Sequence, residues 1–364
     1  MNVADFDFEL PEELIAQDPP PVRGGGRLMA IDRPSGRITH YNFSDLPSLL
    51  RSGDLLVVND TRVFPARLIG TRLPGGGAAE CFLIRPASPV HRSVSEGGEA
   101  DTWVALVHPG QRLREGSRMQ FVSGASSASG AVLHAEIVGR HFHGRRTVRL
   151  WTDNGASVRD TIDAIGHVPL PPYIKRADAM SDRDRYQTVY ARHRGSIAAP
   201  TAGLHFTPEI LEALDRKGVE RAAVTLHVGY GTFQPIRVDS VDQHEMEAEH
   251  YEVSPAAAAA LTIARKEMRR IIAVGTTTTR TLESLSVSAD GVVSPGSGET
   301  ALFIHPGHAF KLVSGLLTNF HLPKSSLLML VSAFAGRENV LAAYRDAVAN
   351  RYRFYSYGDA MIIL

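Results

Sequence analysis

The 364-residue chain is nearly without cysteine, carries no excess of either charge and has no long apolar run. Its single cysteine, Cys81, cannot form an internal disulfide or a multi-thiolate metal site. The start, Met1 to Leu14, is acidic where a secretory signal is basic and then apolar, so a cytoplasmic location is expected. The longest apolar stretch, Leu327 to Ala335, is far shorter than the roughly 18 residues of a membrane span and reads as a buried core element, with no membrane partner. Lysine plus arginine balance aspartate plus glutamate at 39 each, so overall charge does not announce a nucleic acid. Also missing are the P-loop lysine, the dinucleotide glycine spacing and the Gly-x-Ser-x-Gly elbow, which disfavours triphosphate, nicotinamide and common hydrolase chemistry. Histidines and carboxylates crowd together in His244 to Glu252 and His305 to His308 without HExxH spacing, and no metal is expected.

What is present is enough for two domains, with 43% hydrophobic residues to fill their cores. From Arg67 to Trp151, short apolar or alternating runs (AECFLIR, TWVALV, RMQFV, VLHAEIV, RTVRLW) are separated by Gly, Ser and Pro clusters, the texture of an all-β unit. LPGGGAA, SVSEGGEAD and SGASSASG read as its hairpin tips. On either side the pattern is mixed. Thr207 before Pro208 and Ser254 before Pro255 place capping hydroxyls ahead of helix-starting prolines. The first helix should run to about Lys217, end at Gly218 and bury Ile210, Leu211 and Leu214; the second should bury Leu261, Ala264 and Met268. Each leads into a strand. The expected fold is α/β: a discontinuous main domain, residues 1–66 and 151–364, with a β-barrel-like domain inserted at 67–150.

Four segments hold more polar specificity than packing requires. Gly195 to Glu209 gathers small residues around Thr201, Gly203 and His205 ahead of a capped helix, either a ligand loop or a tight turn with a satisfied histidine. Ala273 to Ser284 runs from an apolar strand through Gly275 and Thr276, Thr277 and Thr278 to Arg280, either an anion site or a threonine-rich edge. Leu316 to Leu330 embeds Asn319, His321 and Lys324 between apolar flanks, where burial can shift a histidine toward catalysis or merely bond it to backbone. Tyr173 to Arg194 mixes arginines with tyrosines, either a phosphate-binding face or a solvated surface paired with Asp178, Asp182 and Asp184.

Read in order, GDLLVVNDTRVFPARLIG, HVPLPPYIKR, RYQTVYA, APTAGLHFT, TLHVGYGTF, AVGTTTTRTLES, TNFHLPKSSLLMLVSAFAG and YRFYSYGDAMII resemble the S-adenosylmethionine:tRNA ribosyltransferase-isomerase family of queuosine biosynthesis, nearly end to end. The resemblance implies an α/β domain with an inserted β-barrel and transfer of the ribosyl part of S-adenosylmethionine to 7-aminomethyl-7-deazaguanine at the tRNA wobble position. The products would be epoxyqueuosine-tRNA, adenine and methionine, with no cofactor beyond the co-substrate and no obligatory protein partner. Matched to these demands, His205, His321 and Asp359 are the catalytic candidates. Thr201, Gly203, Glu249, Gly275, Thr276, Thr277, Thr278, Arg280 and Asn319 are candidates for holding S-adenosylmethionine, with Arg280 and the threonines on its carboxylate and Glu249 or Asp359 on its ammonium. Tyr173, Lys175, Arg176, Tyr186, Gln187, Phe206 and Lys324 are candidates for the tRNA and its base.

Two departures stand out. Glu247 occupies a position where the family usually has histidine, and Gly24 to Arg27 replaces an Asp-x-Ser-Arg-like stretch. They leave open a diverged S-adenosylmethionine-dependent transferase with another acceptor, or a non-catalytic tRNA-binding relative.

Overall fold

In the computed structural model, which describes all residues except 88–92, 96–97, 123–129 and 234–235, the chain divides into two units. The first comprises Met1–Arg62, Pro171–Ala177 and Asp184–Leu364; the second comprises Val63–Leu170 and Asp178–Arg183.

The first unit is built on a nine-stranded sheet. Its interior includes the strand Leu55–Asn59, flanked in parallel by Glu220–Leu226 and the central strand Ile271–Val274, with Gly315–Asn319 parallel beyond the latter. Central parallel strands are covered on both faces and therefore run apolar throughout, as Leu55 to Val58 and Ile271 to Val274 do. Successive side chains separate by face: Leu55, Val57, Ile271 and Ala273 join one core, while Leu56, Val58, Ile272 and Val274 join the other. The first core receives the helices Pro255–Lys266, Ser326–Ala335 and Arg337–Ala349; the second receives Pro208–Arg216. The fold is thus α/β with helices on both sides of the sheet.

Both proline-led caps form: Thr207 accepts from the Ile210 N–H and Ser254 from the Ala257 N–H. The first helix ends at Arg216, with Gly218 at φ +81°. Met268 corrects the second: the helix stops at Lys266, and Met268, at φ 53°, is 91% exposed rather than on the buried face. Leu327 to Ala335 lies in a helix whose side chains fill the core, and no single helix among the described residues is long and apolar enough to cross a membrane.

The second unit is a closed six-stranded antiparallel barrel. Arg145–Trp151, Val132–Arg140, Arg118–Val122, Arg67–Leu73, Ala78–Pro86 and Gly98–His108 pair in that order, and Arg145–Trp151 pairs again with Gly98–His108. Closure removes open sheet edges. Inward residues such as Leu133, Ala135, Ile137, Val148 and Leu150 are buried and alternate with polar outward ones. Gly70 permits a close strand approach, since a Cβ there would lie 2.1 Å from the Gln120 carbonyl oxygen. LPGGGAA is a hairpin turn; SVSEGGEAD and SGASSASG fall partly or almost wholly outside the described residues. The unit extends past residue 150 to include the helix Val158–Ile165, capped by Ser157.

Candidate active site

Crevices in open parallel sheets lie beyond the carboxyl ends of the strands. Here Ile271–Val274 ends at Gly275 and Gly315–Asn319 ends beside His321, and between them lies a cavity with an empty volume of about 550 Å³, mouth included. Its walls combine small residues from Ala198 to Ala202, the aromatic rings of Tyr173, Tyr186 and Tyr355, and polar groups of Thr276, Thr277, Thr318, Asn319 and His321. That mixture, mostly apolar with a few directed polar groups, fits a small organic ligand.

One wall is the start of the helix Thr276–Ser284. Gly275, at φ +88° and ψ 158°, turns the chain out of the strand in a conformation that disfavours a side chain, and no side chain caps the helix. A helix start without a side-chain cap leaves N–H groups that can receive an anion. Threonine, ordinarily a middling helix former, is accommodated by bonding back: Thr278 to the Val274 carbonyl at 2.6 Å, Thr279 to that of Gly275 at 3.0 Å, and Thr281 to that of Thr277 at 3.0 Å.

The opposite wall is a polar network. Asn319 accepts from the Thr201 hydroxyl at 3.0 Å, donates to the Tyr355 carbonyl at 3.2 Å and lies 3.1 Å from Nε2 of His205. His205 stacks on Phe43, with ring centroids 4.9 Å apart, and burial pushes its pKa down to about 4 against an opposing pull from Asp359. Asp359 is buried and accepts from the Arg27 and Arg353 main-chain N–H groups at 2.9 and 2.8 Å, with the Arg27 guanidinium at 3.1 Å. His321 does line the cavity. Its Nε2 is 3.0 Å from the Thr318 hydroxyl, its N–H donates to the Tyr344 hydroxyl, and burial lowers its pKa to about 3.

A queuosine biosynthesis protein family model matches residues 3–363. The chain belongs to that family. It is 51% identical over 363 residues to the S-adenosylmethionine:tRNA ribosyltransferase-isomerase of Anaeromyxobacter sp., covering 100% of this chain and 99% of the relative. Its identity to the enzyme of the same name from Heliobacterium modesticaldum is 49%, across 100% of both chains. A crystal structure of the S-adenosylmethionine tRNA ribosyltransferase from Thermotoga maritima matches with a TM-score of 0.53 and 36% identity, over 99% of this chain and 100% of that one.

For this member of the family, the sequence candidates fall into three groups. Thr201, Gly275, Thr276, Thr277, Asn319, His321, Tyr173 and Tyr186 line the cavity. His205 and Asp359 are absent from that lining: His205 lies against Asn319, and Asp359 acts on His205 electrostatically while bonded to Arg27 and Arg353. The rest are engaged elsewhere. Arg280 and Glu249 pair at 2.5 Å, with Arg280 also donating to the Leu302 and Thr300 carbonyls and Glu249 accepting from the Gly229 N–H. The pair is buried, and neither residue lines the cavity. Phe206 is buried in the core against Phe43 and does not line the cavity. Gly203 serves packing, because a Cβ there would lie 2.2 Å from the Tyr190 hydroxyl. Thr278 is fully buried and spends its hydroxyl on the Val274 carbonyl.

Among the basic candidates, Lys175 pairs with Glu12, Arg176 with Asp18 and Lys324 with Asp7. Gln187 lies outside the cavity lining, and its carbonyl accepts from Arg23. Within this stretch Arg183 donates to the Asp163 and Gly166 carbonyls and Arg185 to that of Pro21. Thr318, Tyr355 and Ser356 line the site without having been singled out; the signal was the polar YSYGD run within an apolar C-terminus. Both departures have places. Gly26 borders His205 and Asp359, where a Cβ would lie 3.4 Å from Nδ1 and 3.5 Å from Oδ1; Glu247 packs beside Gly231. Among the described residues no group of three or more His, Cys, Asp or Glu side chains could hold a metal.

Proposed function

We propose that this chain transfers and isomerises the ribosyl moiety of S-adenosylmethionine onto 7-aminomethyl-7-deazaguanine at the wobble position of tRNA. The products are epoxyqueuosine-tRNA, adenine and methionine. The observation that carries this reading is the cavity itself, which opens at the strand ends between an uncapped helix start and a buried histidine. The methionine carboxylate takes the N–H groups at Thr276 and Thr277, where the helix dipole favours negative charge. Adenine and ribose lie against Ala198 to Ala202 and Leu327, and the tyrosines Tyr173, Tyr186 and Tyr355 form the wall that receives the tRNA base.

The transfer balances without a redox partner. The sulfonium acidifies C5′. The acceptor nitrogen forms a bond to the ribose, C5′ joins C1′ to close the carbocycle, and the ribose ring oxygen closes the epoxide on C5′. The adenine–ribose and sulfur–C5′ bonds, one C–O bond of the ribose ring, one C5′–H and one amine N–H break, one of the two released protons leaving on adenine and the other passing to solvent. His321 is the proton-handling group at the cavity, uncharged through the neutral range because burial disfavours its cation. S-adenosylmethionine serves as co-substrate and no further cofactor takes part.

The test is adenine release from S-adenosylmethionine by purified protein, with and without tRNA carrying the aminomethyl base. Release that requires that tRNA, persists in EDTA and falls at least about 100-fold in His321→Gln supports the assignment. Release with unmodified tRNA points to another acceptor. No release, with tRNA still bound, favours the non-catalytic relative.

A further inference from the structure

The hydrogen bonds around Asn319 fix more than its position, and the inference drawn from them deepens the reading above. Amide oxygen and nitrogen are distinguished by their partners, not by shape. The Tyr355 carbonyl has no proton, so the atom 3.2 Å from it must be the amide nitrogen. That nitrogen has two protons and no lone pair to offer. One proton goes to Tyr355 and the other must go to His205, 3.1 Å away. Nε2 of His205 is therefore an acceptor, and the neutral ring carries its proton on Nδ1, facing Gly26 and Asp359. The remaining amide atom, Oδ1, receives the Thr201 hydroxyl at 3.0 Å and keeps a second lone pair on a residue that lines the cavity.

We infer that Asn319 is a fixed hydrogen-bond acceptor for a donor group of the bound S-adenosylmethionine, and that His205 is a positioning residue that holds the amide in this orientation. His205 does not exchange a proton with substrate, because the donating amide occupies its only lone pair. The acceptor selects a hydroxyl, amine or ammonium at that point of the ligand and rejects a group that offers only lone pairs.

Two experiments test this. The first needs no ligand: nitrogen-15 NMR of the histidines, with His205 assigned through His205→Gln. A protonated, pyrrole-type Nδ1 and a bare Nε2 at neutral pH are expected; a proton on Nε2 overturns the inference whatever the protein's activity. The second is calorimetric titration of S-adenosylmethionine into the wild type, Asn319→Ala and Asn319→Asp. Loss of one buried hydrogen bond should weaken binding about tenfold or more in Asn319→Ala. In Asn319→Asp a carboxylate oxygen faces both Tyr355 and His205, so His205 must take a proton on Nε2 to relieve the contact. Its titration should move upward, and binding should recover as pH falls. Unchanged affinity in Asn319→Ala, or no shift of His205 in a folded Asn319→Asp, overturns the assignment. Failure of the wild type to bind S-adenosylmethionine overturns the substrate reading while leaving the tautomer measurement standing.

Discussion

His205 and His321 should make the protein acid-sensitive at a pH where its carboxylates are still ionised. Both rings are buried, with pKa values depressed from the ordinary 6.5 to about 4 and about 3. In the unfolded chain each binds a proton as pH falls through 6.5, whereas in the native state each stays neutral until much lower pH. The unfolded state therefore binds more protons, and stability is lost as pH falls from 6.5 toward 4. Between pH 7 and pH 5 an unfolded histidine takes up about 0.7 of a proton and the buried ring almost none. The differential is about 2 kcal/mol for each ring, a large share of the roughly 5–15 kcal/mol that stabilises a typical domain. Urea denaturation of wild type, His205→Gln and His321→Gln at pH 7, 6 and 5 isolates the effect, because other titrating groups cancel in the comparison. The wild type should lose about 2 kcal/mol more than either variant across that interval. Parallel pH dependences would refute the burial argument.

Arg280 and Glu249 should behave as a structural pair: either single truncation, Arg280→Met or Glu249→Gln, should cost about 3–5 kcal/mol in denaturant, while the double variant recovers part of it in a double-mutant cycle. The Glu283 carboxylate accepts from the Lys311, Leu312 and Val313 N–H groups at 2.7, 3.1 and 3.0 Å; Glu283→Ala should abolish hydrogen-exchange protection at those three amides, and retained protection would contradict the assignment. Gly275→Val should weaken S-adenosylmethionine binding by about tenfold or more in calorimetry, because a β-branched residue resists φ +88° and the turn feeding the helix start must shift; unchanged affinity would place the carboxylate elsewhere.

The parts of the fold that rest on local chemistry were legible in the sequence. The two proline-led caps, the apolar strands and the alternating barrel strands all form where their patterns place them, because each is decided by neighbours along the chain. Met268 failed because the helical period was continued past Lys266, where the chain turns left-handed and the side chain swings out. The site was legible as residue types, not as partners. The polar loops at Thr201, Thr276 and His321 do converge on one cavity, yet nothing local tells that Arg280 meets Glu249, 31 positions away, before it could meet a ligand. Phe206 is a similar case: an aromatic beside a glycine-rich loop reads as a base platform until the second core closes over it. His205 was legible as part of a polar loop, but the amide 3.1 Å from its Nε2 comes from residue 319, which no local pattern announces.

The most direct measurement uses S-adenosylmethionine labelled with carbon-13 throughout its ribose, incubated with the protein and tRNA carrying 7-aminomethyl-7-deazaguanine, followed by mass spectrometry of the wobble nucleoside. The account predicts that all five labelled carbons arrive on that nucleoside, one equivalent of adenine being released for each transfer. An unlabelled wobble nucleoside from folded protein, or label recovered only in S-adenosylmethionine breakdown products, would contradict it.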